Sequence, residues 1–483
     1  MKRNQRKRPF RRVVSVLLLA VLALTLYHIV AGYLPFRDCP ALTDTADIEA
    51  LADEMRRDAD TCDRALLISG ADHALDERLR LIHQAKREVV ITSYDLRDGE
   101  STRDMLSVAL ERADAGVTVR LLVDGIAGLA RLSPSPLFRA LEDHPNIEIR
   151  FYNPPRLFEP WHDMGRMHDK YVIVDDLAYI LGGRNTFDAF IGDYPVELRK
   201  DDREALVYNT AHGTDEGAAS SVYALRDYFA SVWDGGSCSA FTGRRENAAR
   251  AREQLDGLRA RAAALRTDRA ALFGEWDYST ETVPTRGVWL ISNPTGVYAK
   301  APVVFSQLCA LMDKAEREII LQSPYAVLND DMAARLAGIA ARTPLTVMVN
   351  APEVSHNLVG TGDYLLHRGE VIATGVTLLE YAGDSYHHGK AMLIDEDLSV
   401  IGCYNLDLRS TFVDTELMLV IRGKDFNARM RRDMDGLRGT CRRVIDNETD
   451  EVPEGLDIPP LSPLRRAALW IIGHLVQPVR NLV

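Results

Sequence analysis

His168-Asp169-Lys170-Tyr171-Val172-Ile173-Val174-Asp175, followed by Gly182-Gly183-Arg184-Asn185, is the stretch on which the reading of the fold turns. It has a twin: His388-Gly389-Lys390-Ala391-Met392-Leu393-Ile394-Asp395 leads to Gly402-Cys403-Tyr404-Asn405. Both copies read H-x-K-x4-D-x6-G-x-x-N without a slip. A lone H-x-K carries almost no information. Four residue types recurring in register carry a great deal.

The apolar run after each H-x-K reads as a buried strand. Residues two apart share a face, so His168 and Lys170 point one way, as His388 and Lys390 do. Gly182, Gly183 and Gly402 fall at the next turn, where the backbone needs close approach or a positive φ. Asn185 and Asn405 follow, with amides able to donate to an anion. Brought together about a pseudo-two-fold axis, the copies assemble two imidazoles, two ammonium groups and two amides. That set suits one phosphodiester: the lysines and amides hold its non-bridging oxygens, one imidazole attacks phosphorus, and the other protonates the leaving oxygen. Histidines near neutral pKa can hold the opposite protonation states this requires. The lysines already stabilise the developing charge, so no metal and no cofactor is expected.

The duplicated pattern resembles the phospholipase D superfamily, across roughly Leu79 to Val420. The resemblance implies a covalent phosphohistidine on one motif histidine, with the other serving as general acid and then base. It assigns His168 as nucleophile and His388 as acid/base, with Lys170, Lys390, Asn185 and Asn405 binding phosphate. It also implies an acidic residue downstream of each motif that orients a histidine. Glu204, in Asp202-Arg203-Glu204-Ala205-Leu206, and Glu416, in Asp414-Thr415-Glu416-Leu417-Met418, are the candidates. Asp175 and Asp395 are expected to hold turn structure rather than touch substrate. Cys403 is a departure, since the family usually has Gly or Ser there. A single copy could be no more than a buried strand with a satisfied histidine; two matched copies, each keeping its His and Lys, argue for a working site.

The duplication extends beyond the motifs. Strands are expected at Val89 to Tyr94, Val117 to Asp124 and Ile147 to Tyr152, with helices at Asp76 to Lys86 and Thr102 to Ala115. The same order returns at Ile319 to Tyr325, Leu345 to Asn350 and Val376 to Tyr381. Alternating strands and helices imply an α/β fold of two tandem pseudo-symmetric phospholipase D-like sandwich domains with mixed sheets. The expected boundaries are 35–240 and 286–445, with a connecting segment at 241–285 and a tail at 446–483. Within the connection, Arg244 to Leu272 reads as a long helix with a solvated, charged face.

Residues 1–12 are strongly basic, and 13–34 read as a transmembrane anchor: Val13 to Gly32 holds no charged residue and is long enough to cross a bilayer. The basic flank favours a cytoplasmic N-terminus, which puts the domains across the membrane; by the resemblance this is a bacterial inner membrane. A cleaved signal peptide is the competing reading. Thr43 to Arg57 reads as an amphipathic helix capped by Thr43 or Asp44. At the other end, Ala467 to Val476 is too short to span and reads as an interfacial helix or one packed on the domain. Such a basic, apolar tail also resembles bacterial cardiolipin synthases of the superfamily. Phe158 and Trp161, ahead of the first motif, are candidate lipid contacts or ordinary core aromatics. His387 is set aside as a metal ligand, because neighbours on a strand face opposite ways.

The chain has 483 residues and a net charge of −12; without the seven basic residues of the first twelve positions the balance is −19. An acidic bulk argues against the nuclease branch of the superfamily, whose substrate calls for a basic footprint. Of six cysteines, Cys39 with Cys62 and Cys238 with Cys441 are possible disulfides outside the cytoplasm; buried thiols are the alternative. The absence of a C-x-x-C pair argues against zinc. The expected activity is phosphatidyl transfer or phospholipase D hydrolysis on a membrane phospholipid, most like cardiolipin synthesis. A nucleic-acid phosphodiesterase and a non-catalytic anchored interaction protein are the alternatives.

Overall fold

The computed structural model describes the backbone of residues 7–42, 45–59 and 61–483, and side chains from residue 12 onward. Residues 1–6 of the basic segment, and the expected cap at Thr43 and Asp44, lie outside the described residues. The helix there runs Ala46–Met55, and Thr45 caps it by accepting from the Ile48 N–H.

Two nine-stranded mixed sheets form the body. The first runs, edge to edge, Val283–Pro284, Asp63–Ile68, Glu204–Asn209, Ala178–Gly182, Tyr171–Val174, Glu88–Ser93, Thr118–Asp124, Ile147–Tyr152 and Cys238–Ala240. The second runs Gly287–Ser292, Leu417–Arg422, Leu398–Gly402, Ala391–Ile394, Ile319–Gln322, Leu345–Asn350, Thr377–Tyr381, Cys441–Val444 and Asp450–Glu451. From Asp63–Ile68 and Gly287–Ser292 onward the orders correspond strand for strand. In each sheet the two helical crossovers give parallel pairs, and the remaining neighbours are antiparallel.

The motif strands sit mid-sheet and are buried on both faces. Val172 and Val174 enter an outer core of the first half, while Tyr171 and Ile173 enter a core shared between the sheets. Met392 and Ile394 likewise enter the outer core of the second half, and Ala391 and Leu393 the shared one. This period of two lays the sheets face to face, with most helices outside. The helices Ser221–Trp233 and Lys424–Asp435 add Leu225, Phe229, Phe426 and Met430 to the shared core.

Several boundaries differ from the sequence expectation. The helix Ala46–Met55, placed by sequence with the first half, buries Ile48, Ala52 and Met55 in the core of the second. Arg56 pairs with Asp395 at 3.1 Å, and Lys314 with Asp53 at 2.7 Å, fixing it there. Val283–Pro284, expected in the connection, is an edge strand of the first sheet, and Asp450–Glu451, expected in the tail, closes the second. The connecting helix runs Ala248–Asp268 and buries Leu258 and Leu265 in the first half's core. Its charges are not simply solvated: Arg259, Arg261 and Arg266 bond Asp114, Asp104 and Glu111 of the helix Glu100–Asp114.

Among the described residues, one helix is long and apolar enough to cross a membrane, and none of its apolar window is buried. Gly32, near its end, packs on Met164 and Pro160, and the Tyr27 hydroxyl donates to the Phe158 carbonyl at 3.4 Å. Phe158 itself is 77% exposed. The C-terminal helix Pro463–Val476 lies on the helix Leu358–Ala373, with Gly473 backbone against Gly362. Its outer face leaves Leu464 82% and Trp470 62% exposed. Neither of the two disulfides that sequence allows is formed: the Cys238 thiol donates to Val232 O and the Cys441 thiol to Leu437 O.

Candidate active site

Each H-x-K segment enters its strand from the seam between the two halves, where it meets the other half. Met167 forms a parallel bridge to Thr415, and Tyr386–His387 pairs in parallel with Lys200–Asp201. The His168 N–H donates to Thr415 Oγ1 at 3.2 Å, and the His388 N–H to Asp201 O at 2.7 Å. Each motif histidine is therefore seated against the acidic segment of the opposite half.

The result is a crossed arrangement. His168 Nδ1 lies 2.8 Å from Glu416 Oε1, and His388 Nδ1 lies 2.7 Å from Asp202 Oδ2. With each Nδ1 engaged by a carboxylate, Nε2 is the ring nitrogen turned to chemistry, and on His388 it has the Lys390 ammonium 3.0 Å away. Both histidines line one cavity of about 280 Å³, with Asn185, Asn405, Tyr94, Tyr325, Tyr386, Lys200, His356 and Arg409. The motifs are not splayed apart, as a non-catalytic scaffold would allow. A larger cavity of about 870 Å³ lies by the Asp175 turn and contains neither motif histidine.

Glu204 is a correction. It is buried but bonds Arg78 at 2.8 Å and sits 3.3 Å from Arg184 Nε, away from both histidines. Register explains why. Gly182 pairs with Glu204, whereas Gly402 pairs with Met418, so the strand partner of Glu204 in the second half is Met418. The counterpart of Glu416 is Asp202, two residues earlier. Gly183 is required beside it, since a Cβ there would stand 2.5 Å from the Asp202 carboxylate. The second copy has Cys403 at that position; its thiol donates to Leu417 O at 3.3 Å and accepts from Leu417 N–H at 3.1 Å.

Burial dominates the electrostatics. It drives the His168 pKa well below 6.5, helped by Lys170, Lys390 and His388. The same causes, burial and then Lys390, bring His388 down to about 3 despite Asp202. Burial also lowers Lys170, and brings Lys390 down to about 7. Glu416 is pushed well up by burial. Burial pushes Asp202 the same way, but Lys390 and His388 outweigh it and hold the carboxyl low. Two neutral imidazoles line the cavity, and the two motif lysines beside them are weakened as cations by their burial. Negative charge placed in the cavity would draw both histidine pKa values back up, and would let one imidazole hold a proton that the other lacks.

Lys390 Nζ sits 3.0 Å from His388 Nε2, and Lys170 Nζ lies over the Tyr94 ring at 5.5 Å. Asn185 accepts from the Asp95 N–H at 3.1 Å through Oδ1, which leaves its NH₂ group to the cavity. Asp175 and Asp395 both adopt φ of +52° at the hairpin after the motif strand. Asp175 accepts from the N–H groups of Lys86, Arg87 and Glu88, and Asp395 from those of Glu316, Arg317 and Glu318. They lie at the far end of the strand from the histidines. His387 turns its ring onto Tyr381, 4.4 Å away. His168, Cys403 and Glu416 place one ligand atom each within 4.8 Å of one another, the one group among the described residues with the composition of a metal site. Two of the three already serve the histidine–carboxylate pair, with the Lys170 ammonium alongside.

A family profile described as "Cardiolipin synthase, PLD-like domain" matches residues 79–193 and 308–438. Cardiolipin synthase 1 of Bacillus cereus is 24% identical over 367 residues, covering 74% of this chain and 62% of its own length. Cardiolipin synthase A of Pseudomonas fluorescens is 23% identical over 387 residues, covering 80% and 70%. In fold, the crystal structure of phosphatidylserine synthase from Haemophilus influenzae superposes with a TM-score of 0.62 at 14% identity, covering 89% of this chain and all of that one.

Proposed function

The chain belongs to the cardiolipin synthase, phospholipase D-like family, and on that premise we propose that it is a membrane-anchored phosphatidyltransferase, cardiolipin-synthase-like in its chemistry. The observation that carries this reading is the crossed pair: two imidazoles in one cavity, each with Nδ1 on a carboxylate from the other half.

His168 Nε2 attacks the phosphorus of a phospholipid, and the headgroup alcohol leaves with a proton from His388. The phosphorus is then bonded to His168. His388, now neutral, takes a proton from the incoming alcohol, whose oxygen displaces the imidazole. Glu416 and Asp202 hold each ring in orientation and balance its charge as it becomes positive. Lys170, Lys390 and the amides of Asn185 and Asn405 stabilise the equatorial oxygens of the transition state.

The anchor supports a lipid substrate over a nucleic acid. Its end packs on Met164, and the Met164 carbonyl accepts from Arg409, which lines the cavity. A bilayer holding the apolar helix therefore lies close to the site. The basic flank favours a cytoplasmic N-terminus and domains on the opposite side. Purified full-length protein in mixed lipid micelles is expected to make cardiolipin or phosphatidic acid, and His168→Ala to abolish both. Undiminished product from that variant would remove the mechanism.

A further inference from the structure

The last twenty-odd residues of the chain run from the rim of the cavity to the foot of the apolar N-terminal helix. At the rim, Arg465, in the first turn of the helix Pro463–Val476, donates to the carbonyls of Pro352 and Ser355. The residue after Ser355 is His356, which lines the cavity. At the foot, the Asn481 amide donates to Phe36 O at 3.3 Å and to Arg37 O at 2.8 Å, where the apolar helix ends. Val483 O accepts at 3.0 Å from the N–H of Arg409, another cavity residue.

The helix between these ends has two unlike faces. Leu469 and Gly473 turn inward, Gly473 onto Gly362. Leu464, Ile471 and Leu475, at helical spacing, turn outward with Trp470 beside them, and all four are exposed. An outward face normally carries charge of both signs. Here residues 458–483 hold three arginines and no Asp or Glu, in a chain with 70 acidic residues. A contiguous apolar face of this kind marks a contact surface. A second apolar patch comes from the first half. Tyr27 belongs to the apolar N-terminal helix, and its hydroxyl donates to Phe158 O, so the exposed Leu157 and Phe158 stand beside a residue of the apolar span.

With the N-terminal helix in a bilayer, the reading on which this inference rests, a membrane surface is fixed at its foot. The outward face of Pro463–Val476 starts at that foot and ends at the cavity rim, so it continues the same surface. The helix is too short to span and has the composition of one lying in the interface. A second copy of the chain fits the face less well, because it would bring together two bodies that each carry −19 outside the first twelve residues.

We propose that the helix Pro463–Val476, with Leu157 and Phe158, is a second bilayer contact that lays the rim of the cavity on the lipid surface. The anchor keeps the protein on the membrane, and the second contact sets its orientation there. A phospholipid then reaches the cavity from the plane of the membrane, with its acyl chains still among their neighbours.

The test uses full-length protein in vesicles of phosphatidylethanolamine and phosphatidylglycerol whose acyl chains carry bromine at a shallow or a deep position. Bromine quenches tryptophan on contact, and the difference between the wild type and Trp470→Phe isolates Trp470. Trp470 is expected to lose about half or more of its emission to the shallow label and much less to the deep one. The double variant Leu464→Asp, Leu475→Asp is expected to abolish that quenching. It should also lower turnover of vesicle lipid by about tenfold more than turnover of a short-chain, monomeric phospholipid. Trp470 quenched at neither depth, in protein that resists alkaline carbonate extraction, would overturn the second contact alone, whether water or another copy covers the face. Protein released by carbonate would remove the anchor and this inference with it. Quenched Trp470 in a wild type that consumes no lipid would uphold the contact and contradict phosphatidyl transfer instead.

Discussion

Asp202 and Glu416 are given the same task at different side-chain lengths, and the residue facing each explains how. Gly183 leaves room for the carboxylate of the shorter acid; Cys403 fills the equivalent place beside the longer one. Asp202→Asn and Glu416→Gln are each expected to lower kcat by on the order of a hundredfold or more, with the fold intact by circular dichroism. Glu204→Gln should behave in the opposite way. It leaves Arg78 and Arg184 buried without their carboxylate, at a cost of about 3–5 kcal/mol in denaturant titration, with a normal pH profile in the protein that remains folded. Lys390 sets a second expectation. Its ammonium is charged below about 7 and neutral above, so kcat/KM should fall as pH rises through about 7. In kcat the same limb should move upward, because a bound phosphate stabilises the cation. His168, depressed by burial, should stay a neutral nucleophile below 6.5 and give no acid limb there. The motif residues were legible in sequence because their spacing repeats. The orienting acid of His388 was not: two acidic stretches of similar composition can be aligned two residues out, and only strand register distinguishes Asp202 from Glu204.

Among the elements, those with strong periodicity were readable: the motif strands, the parallel strands around them and the connecting helix all fall within a few residues of expectation. What escaped notice was held by partners distant in sequence. Asp63–Ile68 opens with Asp and Arg and lacks a clear apolar alternation, yet it pairs along its whole length with Glu204–Asn209. Lys200–Asp201 and Tyr386–His387 are two residues each and become strands through one another. The C-terminal helix, ambiguous in sequence between packed and interfacial, combines the two: a glycine seam on one side, and Leu464, Trp470 and Leu475 exposed on the other. A Cβ at Gly473 would stand 2.5 Å from the Gly362 carbonyl. Gly473→Leu is therefore expected to lift the helix from its seat, seen as faster limited proteolysis after Leu461 and a Tm lower by several degrees. A proteolysis rate equal to that of the wild type would show that the seam carries no weight.

At the scale of the whole molecule, duplication has produced two halves of which neither holds the carboxylate partner of its own motif histidine. His168 depends on an acid 248 residues later, and His388 on one 186 residues earlier. The helix Ala46–Met55, reaching past its own half to the core of the second, adds a further tie. The shared core keeps the sheets face to face, so that His168 and His388 line one cavity. Burying two lysines and two carboxylates there is costly. The account is tested most directly by rapid acid-free quenching of the purified protein with phosphorus-labelled phospholipid, followed by peptide mapping. Label is expected on Nε2 of His168, absent in His168→Ala, and accumulating in His388→Ala when a good leaving group lets the first step proceed without an acid. Label on His388, or turnover with no covalent phosphohistidine at all, would contradict it.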